Sequence, residues 1–311
     1  MQDRTVIFVA GPTAVGKTRY AIEIAKTFQG EIVSADSMQI YQYMDIGSAK
    51  PSKEELAAAK HYLVDEIDPG EDFSAAEYQA LAKKYIEIIF KEGKTPIVSG
   101  GTGLYLNSLI YDMDFSVMPR QADFREQLEQ EAELFGAGHV HDRLKALDPA
   151  AAGRIHPNNL KKVIRAIEVF ETTGEGIREF SRSFVPTKDY RCILIGLTRN
   201  REELYGRIDE RVDQLMKAGL IKEIESLLEM GLTVDSISMK GIGYKEIIAY
   251  FHGEYSLTEA VRLVKRNTRH YAKRQMTWLR RFPDMIWFNL SEYNEEDALS
   301  AIYEAIRSRL L

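Results

Sequence analysis

Gly11-Pro12-Thr13-Ala14-Val15-Gly16-Lys17-Thr18 follows the apolar run Val6 to Ala10 and precedes a helix-like stretch. Glycines at both ends let the backbone curl so that successive N–H groups point inward. The helix that follows adds its positive end, Lys17 a mobile cation, and Thr18 a hydroxyl able to hold Mg²⁺. This is chemistry for gripping phosphates. The alternative is a glycine-rich turn without a ligand, against which the order of strand, loop and helix argues. The loop does not say whose phosphates it holds.

Two further apolar runs end in unusual residues. Glu31 to Ala35 leads into Asp36-Ser37-Met38-Gln39-Ile40-Tyr41, and Thr95 to Ser99 leads into Gly100-Gly101-Thr102-Gly103-Leu104-Tyr105. An Asp at the end of a strand in a phosphate-loop protein commonly holds Mg²⁺ through water, and Thr102 after two glycines could be a turn residue. The histidines offer no metal-ligand spacing: His139 and His141 would face opposite sides of a strand, and His61, His252 and His270 stand alone.

These residues need elements to bring them together. The three runs are separated by helical segments, the first striped by Ala21, Ile24, Ala25 and Phe28, and a fourth strand is expected at Arg191 to Thr198 before a long charged helical stretch from Arg199 to Leu228. Strands alternating with helices imply a parallel sheet whose ligands gather at the carboxyl ends of the strands, so the endings converge on one cleft. With 311 residues, 45% of them hydrophobic, the chain can bury a full core and carry a second domain. The interval 114–185 is rich in helix formers, has no convincing strand, and is bounded by Met118-Pro119 and Val185-Pro186. The expectation is an α/β protein: a P-loop NTPase-like parallel-sheet core over 1–113 and 186–311, with a helical insertion domain over 114–185. Inside the insertion, Val163, Ile167 and Phe170 read as core, leaving Asn158, Asn159, Lys162 and Arg165 for a partner. Arg125 is either a solvated charge or a partner contact.

The single cysteine, Cys192, sits in an apolar run and reads as a strand residue rather than a reactive thiol. No secretory signal or membrane span is visible, so a soluble cytoplasmic protein with no membrane partner is expected. The net charge of −6 is unevenly spread. Arg262 to Arg281 holds eight Lys or Arg and no acid, which leaves −14 for the remainder. At helical spacing Arg262, Arg266, Arg269, Lys273 and Arg280 share a face, with Val264, Tyr271 and Trp278 on the opposite one. A solvated basic face is the bland explanation; the absence of acids in an acidic protein favours a phosphate-binding face. Arg207 and Arg211, four apart on one helical face, either pair with Glu203, Asp209 or Asp213 or are left for a ligand.

Taken in order, the phosphate loop, Asp36 to Tyr41, Gly100 to Tyr105, His156-Pro157-Asn158 with Arg165-Ala166-Ile167-Glu168-Val169, Arg207-Ile208-Asp209-Glu210-Arg211, and Ala272-Lys273-Arg274-Gln275-Met276-Thr277-Trp278-Leu279-Arg280 resemble the bacterial tRNA dimethylallyltransferases, the tRNA isopentenyl transferase family. The resemblance runs over nearly the whole chain. It implies transfer of a dimethylallyl group from dimethylallyl diphosphate to N6 of the adenosine 3′ to the anticodon, without ATP hydrolysis. Gly11, Thr13, Ala14, Val15, Gly16, Lys17, Thr18, Arg207 and Arg211 would then hold diphosphate, with Mg²⁺ at Thr18 as the cofactor. Asp36 would be the base, or else the metal-shell residue, and Thr102 would act beside it. Ser37, Met38 and Gln39 would line the adenine site. The tRNA anticodon arm would meet Arg125, Asn158, Asn159, Lys162, Arg165, Arg269, Lys273, Arg274 and Arg280 on a monomeric protein. A small-molecule or nucleotide kinase shares loop and fold but gives no reason for the basic helix. A nucleic-acid-binding NTPase leaves the Asp36 and Thr102 motifs unexplained.

Overall fold

The computed structural model describes residues 4–113, 115, 122–176 and 185–310. Strand β1 (Thr5–Ala10) is buried along its whole length, as a continuous apolar run covered on both faces requires. The phosphate loop joins it to α1 (Lys17–Thr27), which buries Ala21, Ile24 and Ala25 against the sheet, while Phe28 is half-buried against Tyr303. Next come β2 (Gly30–Ala35), α2 (Lys53–Ala58), β3 (His61–Tyr62), α3 (Ala75–Lys91), β4 (Thr95–Gly100) and α4 (Gly103–Ile110). Helices α2 and α3 each start at a serine, Ser52 and Ser74, whose hydroxyl takes the N–H of a glutamate three residues on while that glutamate returns to the serine N–H.

The chain then forms α5 (Ala122–Phe135), α6 (Ala137–Leu147), α7 (Pro149–Arg154) and α8 (Leu160–Thr173). It returns through β5 (Arg191–Thr198), α9 (Arg201–Ala218), α10 (Leu220–Glu229), α11 (Tyr244–Phe251), α12 (Leu257–Leu279), β6 (Ile286–Asn289) and α13 (Glu295–Leu310).

The strands make one parallel sheet in the order β3-β2-β4-β1-β5-β6. Its register positions the site. Ala10 pairs with Gly100 and Gly196, and Gly100 pairs also with Ala35, so β1, β2, β4 and β5 reach one level together. The next residues, Gly11, Asp36 and Gly101, emerge side by side. The chain leaves β1 toward β2 on one side and leaves β4 toward β5 on the other, and such a reversal opens a crevice at the carboxyl ends. One apolar layer, with Phe8, Val98, Tyr78 and Leu109, covers one face of the sheet; another, with Ile7, Val9, Ile24 and Ile195, covers the other.

The residues group into two compact units, Met1–Asp112 with Pro186–Leu311, and Met113–Val185. The second has its own core of Leu128, Val140, Leu144, Val163 and Ile167, with Phe170 half-buried outside that cluster. Met118-Pro119 lies outside the described residues.

Three expectations are corrected. Strands β3 and β6 were not anticipated: both are short, and β3 carries only two residues. The stretch Arg199 to Leu228 is two helices, broken at Gly219, whose φ of 106° ends α9. His139 and His141 lie on helix α6, where His141 Nε2 contacts the carbonyl oxygens of Ala152 and Ile155. Among the described residues no helix is long and apolar enough to cross a membrane.

Candidate active site

The phosphate loop is held from behind. Nε of Arg207 donates to the carbonyl of Ala14 at 2.9 Å, Nε of Arg199 to that of Val15 at 3.1 Å, and Nζ of Lys17 to that of Pro12 at 2.9 Å. With these carbonyls tied to cations, the loop can turn toward an anion the N–H groups other than those of Thr13 and Val15, which bond to Gln275 and to the Pro12 carbonyl. Ala14 sits at φ 63° and Gly16 at φ 110°, the left-handed turns that such a curl needs. Gly11 is buried among loop and strand, where an added Cβ would lie 2.7 Å from the Leu197 carbonyl oxygen.

Arg207 faces this loop, and among the described residues neither Arg207 nor Arg211 forms an ion pair. Arg211 Nη2 reaches the Ala49 carbonyl at 3.4 Å. The acids that could have engaged them are taken: Glu203 pairs with Arg199, Asp209 with Arg269, and Asp213 with Lys265. Burial lowers the pKa of Arg211, the charge of Asp36 opposing that shift and that of Arg207 adding to it. Burial brings Lys17 down to about 8, with Asp36 opposing and Arg211 adding. Lys17, Arg207 and Arg211 thus line a cavity of about 640 Å³ together with Arg19, Lys50, Thr18 and the carboxylates of Asp36, Asp45, Glu55 and Glu210.

Asp36 follows β2. Its Oδ1 accepts the N–H of Met38 at 2.9 Å and that of Gln39 at 3.4 Å. Among the described residues its Oδ2 accepts no hydrogen bond, so one oxygen shapes the turn and the other is left for a ligand. Thr102 stands at the start of α4, and its hydroxyl accepts the N–H of Ser37 at 3.1 Å. Its own N–H donates to the Ala35 carbonyl at 3.1 Å. Thr102 therefore holds the turn that carries Asp36. The Gln39 amide is anchored within the protein, Nε2 donating to the Ala49 carbonyl at 3.1 Å and Oε1 accepting from Ser34 at 3.4 Å.

A second cavity, about 430 Å³, is lined by Met38, Tyr41, Phe73, Tyr105 and Tyr271, with Arg211, Lys240, Lys245 and Arg274 as its cations. The two cavities share Thr13, Ala14, Asp36, Ser48, Ala49, Arg211 and Leu215. Asp36 thus borders both a phosphate cradle and an aromatic-walled chamber. Burial pushes the Tyr271 phenol up to about 12, against hydrogen bonding to Thr102 and Gln275.

Residues 39–282 match the family model described as IPP transferase. The chain belongs to the IPP transferase family. It is similar to the tRNA dimethylallyltransferase of Alkaliphilus oremlandii, 53% identical over 297 residues that cover 96% of this chain and 95% of the relative. Among solved structures it is similar to the full-length tRNA isopentenylpyrophosphate transferase of Bacillus halodurans, 40% identical, with a TM-score of 0.76 over 99% of this chain and 97% of that one. A eukaryotic dimethylallyltransferase acting on tRNA superimposes with a TM-score of 0.83 at 26% identity, over 98% of this chain and 80% of that one.

In this IPP transferase the acid-free basic helix is not free of acids in space. Arg262 pairs with Glu259 on its own helix, Lys265 with Asp213 and Arg269 with Asp209, both on α9. Lys273 and Arg280 are exposed, and Arg274 lies over the ring of Tyr271 at 5.7 Å. Arg125, expected as a solvated charge or a partner contact, donates from Nε and Nη2 to the fully buried carboxylate of Glu168, which Arg165 also meets at 2.6 Å. These two arginines hold the insertion unit together. Asn158, Asn159 and Lys162 are exposed on the same unit.

Two residues escaped sequence reasoning. Arg199 straps the loop as Arg207 does. Gln275, on α12, is buried, accepting from the Thr13 N–H at 2.8 Å and donating to the Gly101 carbonyl at 3.0 Å. A signal existed: Gln275 falls on the apolar stripe of its helix between Ala272 and Leu279, where an uncharged polar residue needs a partner.

Proposed function

We propose that this chain transfers the dimethylallyl group of dimethylallyl diphosphate to N6 of the adenosine 3′ to the anticodon of a tRNA, releasing diphosphate. The observation that carries this proposal is the position of Asp36, a carboxylate with one oxygen unengaged, lining the cationic cavity and the aromatic chamber at once. Diphosphate lies in the cradle of Lys17, Arg207 and Arg211, which take up the charge that develops as the allylic carbon–oxygen bond breaks. Adenine, turned out of its stack, lies among Met38, Tyr105 and Tyr271. N6 bonds to the allylic carbon and its proton passes to Asp36, work worth about 10²- to 10⁴-fold. Thr102 keeps Asp36 in place through the Ser37 N–H.

Mg²⁺ fits as a shared ligand. Among the described residues no group of three His, Cys, Asp or Glu could hold a metal alone, whereas Thr18 offers a hydroxyl beside the phosphate site, suited to an ion that takes the rest of its shell from substrate phosphates and water. Bound there, it would add positive charge opposite the leaving group. A kinase shares the cradle, but the chamber beyond Asp36 opens on Lys240, Lys245 and Arg274, suited to an RNA acceptor. The finer points of the proposal, a cytoplasmic monomer that grips the anticodon arm, rest on the sequence.

The test is incubation of the protein with unmodified tRNA, Mg²⁺ and labelled dimethylallyl diphosphate, without ATP, followed by nucleoside analysis. Label on adenosine is the expected result; no labelled nucleoside, with ATP hydrolysis or phosphate transfer in a parallel reaction supplied with ATP, would replace the transferase by a kinase.

A further inference from the structure

The segment Asp45 to Lys50 contributes to both cavities: Gly47, Ser48 and Ala49 line the aromatic chamber, and Asp45, Ser48, Ala49 and Lys50 the cationic one. It is neither helix nor strand, so its shape needs another cause. Two turn bonds, Ala49 N–H to the Ile46 carbonyl at 2.9 Å and Lys50 N–H to the Asp45 carbonyl at 3.0 Å, close it on itself, and one carboxylate anchors it to the rest of the protein. Glu223, on α10, accepts the N–H of Asp45 at 2.8 Å and of Ile46 at 2.6 Å on Oε2, and the N–H of Gly47 at 2.9 Å on Oε1. The Tyr244 hydroxyl completes the set, donating to Oε1 at 2.9 Å.

Three consecutive N–H groups converging on one carboxylate make an anion-binding concavity that the protein fills with its own side chain. The fit is tight. A Cβ on Gly47 would lie 2.4 Å from the Tyr244 ring, so only glycine lets the segment approach. Tyr244 opens α11, where Glu246 accepts the Gly243 N–H at 2.7 Å and the Asn267 amide of α12 at 2.7 Å. Beyond the clasp, the segment's Ala49 carbonyl is the acceptor shared by Gln39 and Arg211. Those are the amide and the cation bordering Asp36.

We propose that Glu223 is a positioning residue for the transfer reaction: by holding the backbone of Asp45 to Gly47 it sets the Ala49 carbonyl, and through it the Gln39 amide and the Arg211 guanidinium. Glu223 lines neither cavity, so it acts through the segment alone. This proposal rests on the transferase assignment above.

Glu223→Gln in the full-length protein keeps the side chain's volume but turns an NH₂ toward the N–H donors. The expected result is a rise of about tenfold in KM for dimethylallyl diphosphate, the scale of one or two charge-assisted hydrogen bonds, with a smaller change in kcat and a near-native unfolding midpoint. Calorimetry should show inorganic diphosphate bound about tenfold more weakly, a readout that does not need transfer to occur. Tyr244→Phe, which keeps all three N–H bonds, should stay within about threefold of wild type on both measures. Should Glu223→Gln not fold, Gly47→Ala displaces the same segment while leaving Glu223 intact and should raise the same KM. Native KM and diphosphate affinity in Glu223→Gln, or a lowered midpoint with both unchanged, would overturn the proposal; so would native values in Gly47→Ala. Absence of transfer by the wild-type protein would instead count against the transferase assignment, leaving the diphosphate measurement to judge Glu223.

Discussion

The side-chain oxygen of Gln275 accepts the backbone N–H of Thr13 at 2.8 Å, joining the basic helix to the phosphate loop across 262 residues of chain. The same amide donates to Gly101, so α12 is bolted to two of the three strand endings that build the cleft. Anything that pulls this helix reaches the phosphate site directly.

Replacing Gln275 by Ala leaves the Thr13 N–H and the Gly101 carbonyl without their partner, and a buried group so abandoned costs about 1–3 kcal/mol. The expected outcome in steady-state kinetics is a higher KM for the prenyl donor together with a lower melting temperature. Gln275→Glu keeps the acceptor for Thr13 but sets an oxygen against the Gly101 carbonyl, so it should be rescued only in part.

Gly101 allows this contact. A Cβ there would lie 2.2 Å from Gln275 Nε2 and 2.9 Å from the Gly11 carbonyl oxygen, the second being backbone that cannot step aside. Gly101→Ala should therefore abolish turnover, and circular dichroism should show a folded but less stable protein.

Asp36→Asn keeps an acceptor at Oδ1 for the Met38 N–H while removing the proton acceptor. Turnover should fall by about 10²- to 10⁴-fold with tRNA affinity unchanged, as for loss of a general base. A small loss of activity that extra Mg²⁺ restores would mark Asp36 as a metal-shell residue instead.

The pH dependence follows from Lys17, which burial brings from 10.5 to about 8. The ammonium is charged below that value and neutral above it, so kcat/KM for dimethylallyl diphosphate should fall as pH rises through about 8. Bound diphosphate favours the charged form, so kcat should hold to higher pH than kcat/KM. Stability runs the other way: between about 8 and 10.5 the unfolded chain holds the extra proton, so this group contributes a stability that grows with pH across that window. Lys17→Arg should remove both inflections.

The insertion unit separates two kinds of arginine and lysine. Glu168→Ala leaves Arg125 and Arg165, both part-exposed, without their shared acceptor and should cost about 1–3 kcal/mol. Lys162→Ala, at an exposed position, should leave the melting temperature unchanged and lower the salt dependence of tRNA binding by about one counterion. Equal thermal effects of the two substitutions would contradict this division.

Local chemistry was enough to read several parts of this protein from the chain alone. The phosphate loop and strands β1, β2, β4 and β5 were legible because apolar runs, glycines and strand endings are short-range signals. Asp36 and Thr102 were legible as the residues following two of those strands. Strand β3, with two residues, carries too little pattern to show, and the break at Gly219 was hidden by charged residues on both sides that suit a helix equally well.

What the sequence by itself determined is therefore the set of reactive groups and the elements that carry them. Which charges are available was decided by tertiary structure alone, because ion pairing joins residues far apart in the chain. Glu168 engages Arg125 across 43 residues, and Asp209 engages Arg269 across 60. Arg207 and Arg211 are left to the phosphate site because packing of α9 beside α12 hands Asp209 and Asp213 to Arg269 and Lys265, while Arg199 takes Glu203 four residues on. Gln275 and Glu223 acquired their roles in the same way. A polar side chain satisfies whichever backbone groups the fold brings within 3 Å of it, and no local pattern names them in advance.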